Sequence, residues 1–401
     1  MAALSLPHRL WRALPAGPRR RALSAITASL APRPDAQAPA PRGGVAVGGE
    51  LSLPSGLGTG ARLMLAALER SGIATAALDF GDPIRRARRR FPPLPPAMPL
   101  VLHINSPVLP LALLQAPRDL LRGRMVIGYW AWELPHVPES WRPGLDFVHE
   151  IWTPSRFTAD ALRGFAPHKT IRVVPHPVAI DPPVPSALTR ADFGLPQDAV
   201  ITLVSFSLAS SMARKNPLAA IAAHRAAFMG RPDRQLVVKV AHAEAHPEDF
   251  QALRQAAIGV ENIRFETRLL PRADSFALTA CCDIVLSLHR SEGFGLVPAE
   301  AMLLGVPVVA TGWSATAEFM DASAACLVEY NLVRAVDERG VFEAPGAVWA
   351  EARIDSAAEH LTRLADDPGL RQRIGEAGQI MARQRLGDQA LHAALAAIGL
   401  Q

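Results

Sequence analysis

The amino-acid sequence predicts an α/β fold with two similar halves and a ligand cleft between them. A chain of 401 residues is too long for one ordinary compact core. From residue 43 onward, short β-branched runs alternate with stretches rich in alanine and leucine, which is typical of parallel βαβ units. The proline-rich segment 181–190 interrupts this alternation and predicts a domain junction. Ligands are expected where the C-terminal ends of the strands face the cleft.

The first half follows a leader, residues 1–42, that is rich in arginine, alanine and proline and is predicted to be disordered. Strands are predicted at 43–49, 74–80, 100–105, 124–130, 147–153 and 171–178. The glycine-rich turn SGLGTG (55–60) precedes a predicted helix over 61–72 that ends at Gly72. These elements predict an N-terminal domain over residues 43–180.

The second half follows a linker over residues 181–198. Its strands are predicted at 200–206, 236–241, 263–266, 284–289 and 306–311, and its helices at 218–228, 354–367 and 370–386. The sequence therefore predicts a C-terminal domain over residues 199–370 and C-terminal helices over residues 371–401.

Composition and charge narrow the classes of function. Apolar residues make up 49% of the chain and charged residues 20%, which indicates a soluble globular protein. A net charge of +5 is too small to indicate a nucleic-acid partner. The arginine clusters at 19–21 and 85–90 are compatible with a solvated surface, an anionic membrane or an anionic substrate. No apolar run is long enough to predict a transmembrane helix.

The cysteines and the leader bear on the compartment. Cys281, Cys282 and Cys326 lack metal-binding spacing and are predicted to be small buried side chains in a reducing environment. We therefore expect a cytoplasmic protein, with peripheral contact at the inner face of a membrane as an open alternative. Because the leader has almost no acidic residues, an organellar transit peptide is a second alternative.

The stretch SEGFGLVPAEAM (291–302) carries the main chemical signal. A predicted strand precedes it, and a helix with Pro298 near its first turn follows and stops at Gly305. Backbone N–H groups at such a helix start favour a phosphate. Glu300, predicted in the first turn, either compensates the helix dipole or accepts hydrogen bonds from ribose hydroxyls. Glu292 lies in the loop, where it has no helix to cap.

Several motifs in the same order resemble the retaining glycosyltransferases of the GT-B fold, glycosyltransferase family 4. They are the Glu-x7-Glu pair at 292 and 300, Arg-Lys-Asn-Pro at 214–217, GYWAWELPHVPESW at 128–141 and EIWTPSRFTADAL at 150–162. The resemblance runs from about residue 43 to residue 390. It implies two Rossmann-like domains facing a cleft, with C-terminal helices that cross back to the N-terminal domain.

The resemblance also implies how a donor, a nucleotide diphosphate sugar, is held. Glu300 would bind the ribose and Glu292 the hydroxyls of the transferred sugar. Lys215 and Arg214 would neutralise the leaving diphosphate, although both fit a solvated turn as well. The remaining donor-binding residues implied are Gly293, Phe294, Gly295 and Leu296 in the donor loop, and Gly58 in the SGLGTG turn.

On the acceptor side, the resemblance points to His103 and Asn105 at the end of a strand and to Glu133 in YWAWELP. His103 fits a buried structural role equally well. Trp130, Trp132 and Trp141 could stack on sugars or pack in the core. Two departures concern the donor side. The segment 207–211 lacks a second basic residue, and Ser314-Ala315-Thr316 replaces the Ser-Gly-Asn of similar sequences.

The function implied is a retaining glycosyltransferase that moves a hexose to a saccharide or lipid-linked acceptor in polysaccharide or glycoconjugate biosynthesis. GDP-mannose and UDP-hexoses are both open as donors, with mannose favoured slightly. No Asp-x-Asp clamp lies near the donor loop, so neither a metal nor another cofactor is expected. Two alternatives remain: an NAD-dependent oxidoreductase that uses SGLGTG with Asp79, and a non-catalytic GT-B-like binding protein.

Overall fold

The computed structural model describes residues 16–82, 89–342, 344 and 346–400. Residues 1–15 of the predicted leader and residues 85–88 of the second arginine cluster lie outside the described residues. None of the described helices is both long and apolar enough to cross a bilayer.

The N-terminal domain is built on a six-stranded parallel sheet in the order β2-β1-β3-β4-β5-β6. Its strands are β1 Val45–Gly49, β2 Thr75–Asp79, β3 Leu100–His103, β4 Val126–Tyr129, β5 Glu150–Thr153 and β6 Thr170–Val173. The four central strands are fully buried, because helices cover both faces of a parallel sheet. This is why those strands read as continuous apolar runs rather than as alternating patterns.

The C-terminal domain repeats the design with the order β12-β11-β10-β7-β8-β9. Its strands are β7 Val200–Ser207, β8 Arg234–Ala241, β9 Ile263–Glu266, β10 Ile284–Ser287, β11 Val308–Thr311 and β12 Cys326–Val328. The predicted α/β architecture of two Rossmann-like domains is therefore confirmed.

Helices connect most of these strands, precede the first strand and follow the last. They are α1 Ala16–Leu30, α2 Gly56–Arg70, α3 Leu109–Leu113, α4 Arg156–Phe165, α5 Met212–Lys215, α6 Pro217–Phe228, α7 Pro247–Ala256, α8 Arg272–Ala280, α9 Leu296–Leu303, α10 Ile354–Asp366, α11 Pro368–Arg385 and α12 Gln389–Ala397. After α11 the chain returns to the N-terminal domain, where α12 buries Leu391 and Leu395 in a core cluster shared with β1 and β3.

The leader differs from the prediction. Residues 16–30, predicted to be disordered, form helix α1, which packs against α3 and the 3₁₀ segment Glu139–Phe147. Small residues make this close contact possible, since Ala28 and Ala31 are buried in the core of the N-terminal domain. The opposite face of α1 exposes Leu23, Ile26 and Leu30.

The glycine-rich turn also differs from the prediction. Helix α2 begins at Gly56 rather than at residue 61, because the Ser55 side chain caps it by accepting a hydrogen bond from the Gly58 N–H at 3.0 Å. A side chain at Gly58 would collide with the backbone oxygen of Glu50. Packing within the N-terminal domain therefore accounts for this glycine.

One further element was not predicted from the sequence. Strands β13 (Tyr330–Arg334) and β14 (Val348–Ala352) form an antiparallel hairpin after β12, separate from both parallel sheets.

Candidate active site between the domains

Two neighbouring strands of the C-terminal sheet bring the predicted site residues together. Strands β7 and β10 are paired in parallel, so the segments that follow them start at the same edge of the sheet. Helix α5 after β7 carries Arg214 and Lys215, and the loop after β10 carries Glu292. Lys215 and Glu292 are 77 positions apart in the chain, yet the Lys215 ammonium contacts the Glu292 carboxylate.

The charged groups form a buried cluster. The Arg214 guanidinium lies 3.0 Å from the second Glu292 oxygen and 3.6 Å from the Glu133 carboxylate of the N-terminal domain. The exposed fractions of the Arg214 and Glu292 side chains are only 5% and 10%. Burial acts to raise the pKa of Glu292, but Lys215 and Arg214 outweigh it and hold the pKa at about 2. Glu292 is therefore an ionised hydrogen-bond acceptor at neutral pH and a poor proton carrier.

The N-terminal domain contacts the donor loop directly, which closes the cleft at this point. The Ser155 hydroxyl donates to the Gly293 carbonyl at 2.8 Å, and the Ser291 hydroxyl donates to the Glu133 carbonyl. A side chain at Gly293 would come within 3.1 Å of the Trp132 oxygen. Neither serine was predicted from the sequence, because short polar residues in loops carry no distinctive pattern.

The start of helix α9 follows this loop. Gly295 has φ +102°, and a side chain there would collide with Thr316, so the position requires glycine. The Phe294 ring packs against His176 and Phe319 at ring distances of 4.8 and 5.5 Å. These contacts hold the start of α9 in place. The N–H groups of its first turn can donate hydrogen bonds to an anion.

Glu300 lies one turn further along than predicted, as the fifth residue of α9. Its carboxylate is 3.8 Å from Arg272 in the first turn of α8, which in turn lies 3.6 Å from Asp181. Burial raises the pKa of Glu300 to about 7, and Arg272 opposes this rise. Arg272 was not identified from the sequence, because its distance from the motif along the chain hides the contact.

The acceptor-side predictions are only partly supported by the geometry. His103 has no exposed surface and stacks on Tyr129 at 4.0 Å, which favours the buried structural role that the sequence left open. Asn105 uses both ends of its amide to hold Ala131, at 2.9 and 3.0 Å. It therefore positions the segment that carries Glu133. Glu133 itself lies in the charged cluster, where burial raises its pKa.

The tryptophans belong to the core of the N-terminal domain. Trp130, Trp132 and Trp141 are at most 4% exposed, and Trp141 packs edge-on against the other two at 5.8 and 5.2 Å. Of the two roles left open by the sequence, the structure therefore favours core packing over stacking on sugars.

Asp79, which the oxidoreductase alternative requires, also has structural partners. Its carboxylate accepts hydrogen bonds from the N–H groups of Gly81 and Ser52, at 2.9 and 3.3 Å. It therefore holds the loops after β1 and β2 together, which weakens its assignment as a ribose ligand.

A cavity of about 730 Å³ lies at the junction of the two domains, beside the loop that carries Glu292. Phe294 is the one predicted site residue among its lining residues, which also include Arg156, Glu318 and Arg385. Glu318 joins the domains here, because its carboxylate accepts hydrogen bonds from the N–H groups of Arg156 and Phe157 at 2.9 and 2.8 Å.

Ser314 binds the backbone of Glu292 through its hydroxyl, and its own backbone is strained. Its φ of 68° and ψ of −157° are rare for any residue other than glycine, and its hydroxyl accepts a hydrogen bond from the Glu292 N–H at 2.9 Å.

Ser314→Gly would relieve strain of about 1–3 kcal/mol and remove a hydrogen bond of about 1 kcal/mol. We therefore expect an unchanged or higher Tm together with a lower kcat. Ser314→Ala keeps the strain and should lower both. A Ser314→Gly variant with the wild-type kcat would show that this hydrogen bond does not position Glu292.

Comparison with known protein families matches one part of the chain. Residues 211–339 match the protein family described as Glycosyl transferases group 1. This segment includes Arg214, Lys215, Glu292 and Glu300. No curated protein sequence matches the chain.

Three solved structures share the fold over most of the chain. Sucrose-phosphate synthase from Thermosynechococcus elongatus is similar, with a TM-score of 0.62, 15% identity, and coverage of 88% of this chain and 98% of that chain. HepE from Anabaena, solved with UDP and glucose, has a TM-score of 0.59, 14% identity, and coverage of 88% and 100%. WaaG, a glycosyltransferase involved in lipopolysaccharide biosynthesis, has a TM-score of 0.55, 17% identity, and coverage of 88% and 100%. The chain therefore has the GT-B fold, and its residues 211–339 match the Glycosyl transferases group 1 family.

Proposed function

We propose that the protein is a retaining glycosyltransferase that uses a nucleotide diphosphate hexose as donor. The observation that carries this proposal is the charged cluster of Lys215, Arg214 and Glu292 beside a glycine-led helix start, with Glu300 further along the same helix. The cations of Lys215 and Arg214, next to the N–H groups at the start of α9, suit a diphosphate leaving group. Two carboxylates that flank this position suit the hydroxyls of the ribose and of the sugar.

In the proposed complex, Glu300 accepts hydrogen bonds from the ribose hydroxyls, and the diphosphate lies at the start of α9. The Lys215 ammonium exchanges the Glu292 carboxylate for the diphosphate, because the anion then supplies the neutralising charge. Glu292, released from Lys215, accepts hydrogen bonds from hydroxyls of the transferred sugar. No metal or other cofactor takes part in this proposal.

The transfer breaks the bond between the anomeric carbon and the phosphate oxygen and forms a bond to the acceptor hydroxyl on the same face. The proton of that hydroxyl passes to the leaving phosphate oxygen. Glu292 accepts hydrogen bonds from the transferred sugar in this proposal and is not the base. Lys215 and Arg214 stabilise the charge that builds on the phosphate. Glu133, which reaches the cluster from the N-terminal domain, orients the acceptor hydroxyl.

The acceptor is proposed to be a saccharide or a lipid-linked saccharide, in polysaccharide or glycoconjugate biosynthesis. The structural similarity to HepE, which was solved with UDP and glucose, makes UDP-hexoses the first donors to test, together with GDP-mannose. A thermal-shift screen with these compounds and with NAD tests the proposal, because a ligand that binds the native state raises Tm. Stabilisation by NAD alone would favour the oxidoreductase. Binding of a sugar nucleotide without transfer or hydrolysis would favour the non-catalytic protein.

Donor affinity is expected to rise as the pH rises through about 7, the pKa of Glu300. Below this pH the Glu300 carboxyl must lose a proton before it can accept hydrogen bonds from both ribose hydroxyls. Donor affinity should therefore fall about tenfold for each pH unit below the pKa. Above it, affinity should level off. Titration calorimetry from about pH 5.5 to 8.5 with a sugar nucleotide measures the donor affinity. Both phosphates of a sugar nucleotide are esterified, so their own titration does not contribute in this range. Glu300→Ala should remove the pH dependence and weaken binding by about 1–3 kcal/mol. A flat wild-type profile would place Glu300 outside the ribose site.

We also propose a peripheral contact between helix α1 and an anionic membrane. Leu23, Ile26 and Leu30 lie on one face of α1 and are 43%, 52% and 60% exposed. The sequence just before them contains Arg19, Arg20 and Arg21. An apolar face with adjacent basic residues is typical of helices that lie at a membrane surface. Replacing all three apolar residues with serine should abolish co-sedimentation with anionic vesicles and leave the fold intact. Sedimentation that does not depend on anionic lipid would contradict this contact.

A further inference from the structure

The hairpin of β13 and β14 connects the two domains beside the charged cluster. The hairpin follows β12 of the C-terminal domain, yet four of its residues are buried in the core of the N-terminal domain: Ala335, Phe342, Ala347 and Trp349. The Phe342 ring stacks on Trp132 at 5.5 Å with an angle of 27°. A two-stranded hairpin has too little core to be stable alone. Its order therefore comes from these contacts and from those to the charged cluster.

Asp337 connects the hairpin to the turn that carries the cations. Its first oxygen accepts a hydrogen bond from the Ser211 hydroxyl at 3.0 Å, and this hydroxyl accepts one from the Arg214 N–H at 3.1 Å. Its second oxygen accepts from the N–H groups of Val341 and Phe342, at 2.9 and 3.2 Å. Asp337 is only 2% exposed, so each of these bonds compensates for removing a carboxylate from water.

The base of the hairpin holds the other end of the same turn. The Glu351 carboxylate accepts from Arg290 at 2.6 Å and from the Asn216 amide at 3.2 Å. Asn216 ends α5 with a left-handed backbone (φ 51°). The Arg290 N–H donates to the Arg214 carbonyl at 2.7 Å, which joins the donor loop to the turn. Phe342 also lies 5.3 Å from the Arg214 guanidinium.

We propose that this hairpin is a brace for the cationic turn, residues 211–216, and that Asp337 is the positioning residue that aligns Arg214 and Lys215. Asp337 touches neither the donor nor the reacting atoms in the proposed complex; it acts through Ser211. The kinetic part of this inference rests on the proposed function, whereas the structural part does not. Because the turn must deliver two positive charges to one diphosphate, a small displacement reduces stabilisation of the leaving group.

Asp337→Ala tests the brace in the full-length protein. We expect kcat to fall about tenfold, the scale of losing hydrogen bonds to a buried carboxylate, while KM for the donor changes about twofold or less. Asp337→Asn keeps one acceptor oxygen and should restore part of kcat. Val336→Ser is the matched control, since Val336 precedes Asp337 in the hairpin and is 60% exposed. It should leave kcat and KM unchanged.

Ser211→Ala should lower kcat to a similar extent, and the double variant should lose no more than either single variant, because both act through one hydrogen-bond chain. Additive losses, or a wild-type kcat in Asp337→Ala, would overturn the positioning role. If Asp337→Ala does not fold, Ser211→Ala alone decides, with the same split between kcat and KM expected.

Hydrogen exchange separates this inference from the proposed function. Amide exchange at residues 211–216 should be faster in Asp337→Ala than in the wild type or Val336→Ser. Unchanged exchange would contradict the brace even in an active enzyme. A wild-type protein that releases no nucleoside diphosphate would contradict the proposed function, and the exchange measurement would still decide the brace.

Discussion

Lys215→Ala is expected to lower turnover about 100- to 1,000-fold, which is the usual effect of removing one charge-stabilising group from a transition state. Lys215 contacts Glu292 and is proposed to move to the diphosphate when the donor binds. Since phosphate charge increases as the sugar leaves, the loss should appear mainly in kcat. Affinity for the intact sugar nucleotide should change much less.

The matched control is Arg225→Ala, which removes an exposed cation from the neighbouring helix α6. This variant should keep the wild-type kcat, since Arg225 lies outside the cluster. Steady-state kinetics on both variants with the donor identified by the screen make the comparison. A kcat for Lys215→Ala close to that of the wild type would show that other groups hold the phosphates.

Glu292→Gln is expected to affect stability and turnover in different ways. Removing the carboxylate leaves Lys215 and Arg214 with Glu133 as their remaining acidic neighbour in the cluster, and an unpaired buried charge costs about 3–5 kcal/mol. The free energy of unfolding should fall by about that amount. Turnover should fall about 100-fold or more, because the hold on the sugar is lost.

The same variant should bind the bare nucleoside diphosphate more tightly than the wild type does. In the wild type, the diphosphate must first displace Glu292 from Lys215, whereas in Glu292→Gln the cations are free to bind it. The ligand-induced rise in Tm should therefore be larger in the variant. Glu329→Gln, which removes an exposed carboxylate paired with Arg353, is the control. A weaker rise in Glu292→Gln would contradict the proposed exchange of partners.

The sequence predicted the architecture because a parallel sheet imposes its pattern locally. Strands buried on both faces must be apolar throughout, and the connecting helices must present apolar residues at helical spacing. The proximity of Lys215 and Glu292 was also predictable, since both lie in segments that follow neighbouring strands, β7 and β10, and such segments converge at one sheet edge. The resemblance to a family implied that both residues hold the donor, but their direct contact was not predicted.

The sequence was least informative where tertiary contacts decide. His103 ends a strand and could have faced the cleft, but Tyr129 and the Met64 sulfur enclose it. Helix α1 has a composition typical of disorder, yet two alanines allow it to pack closely against the N-terminal domain. The hairpin was missed because its strands lie outside the two parallel sheets and depend on contacts with residues more than 100 positions away, as in the pair of Ser211 and Asp337.

The most direct test of the central claim is nucleoside diphosphate release from a panel of UDP- and GDP-hexoses, with the wild type and Lys215→Ala assayed side by side. The wild type is predicted to release the diphosphate from at least one donor, with the rate increased by a saccharide acceptor. Lys215→Ala is predicted to be about 100-fold slower or more. No release from any donor, or release at the same rate in both proteins, would contradict the assignment of this cluster as the active site of a glycosyltransferase.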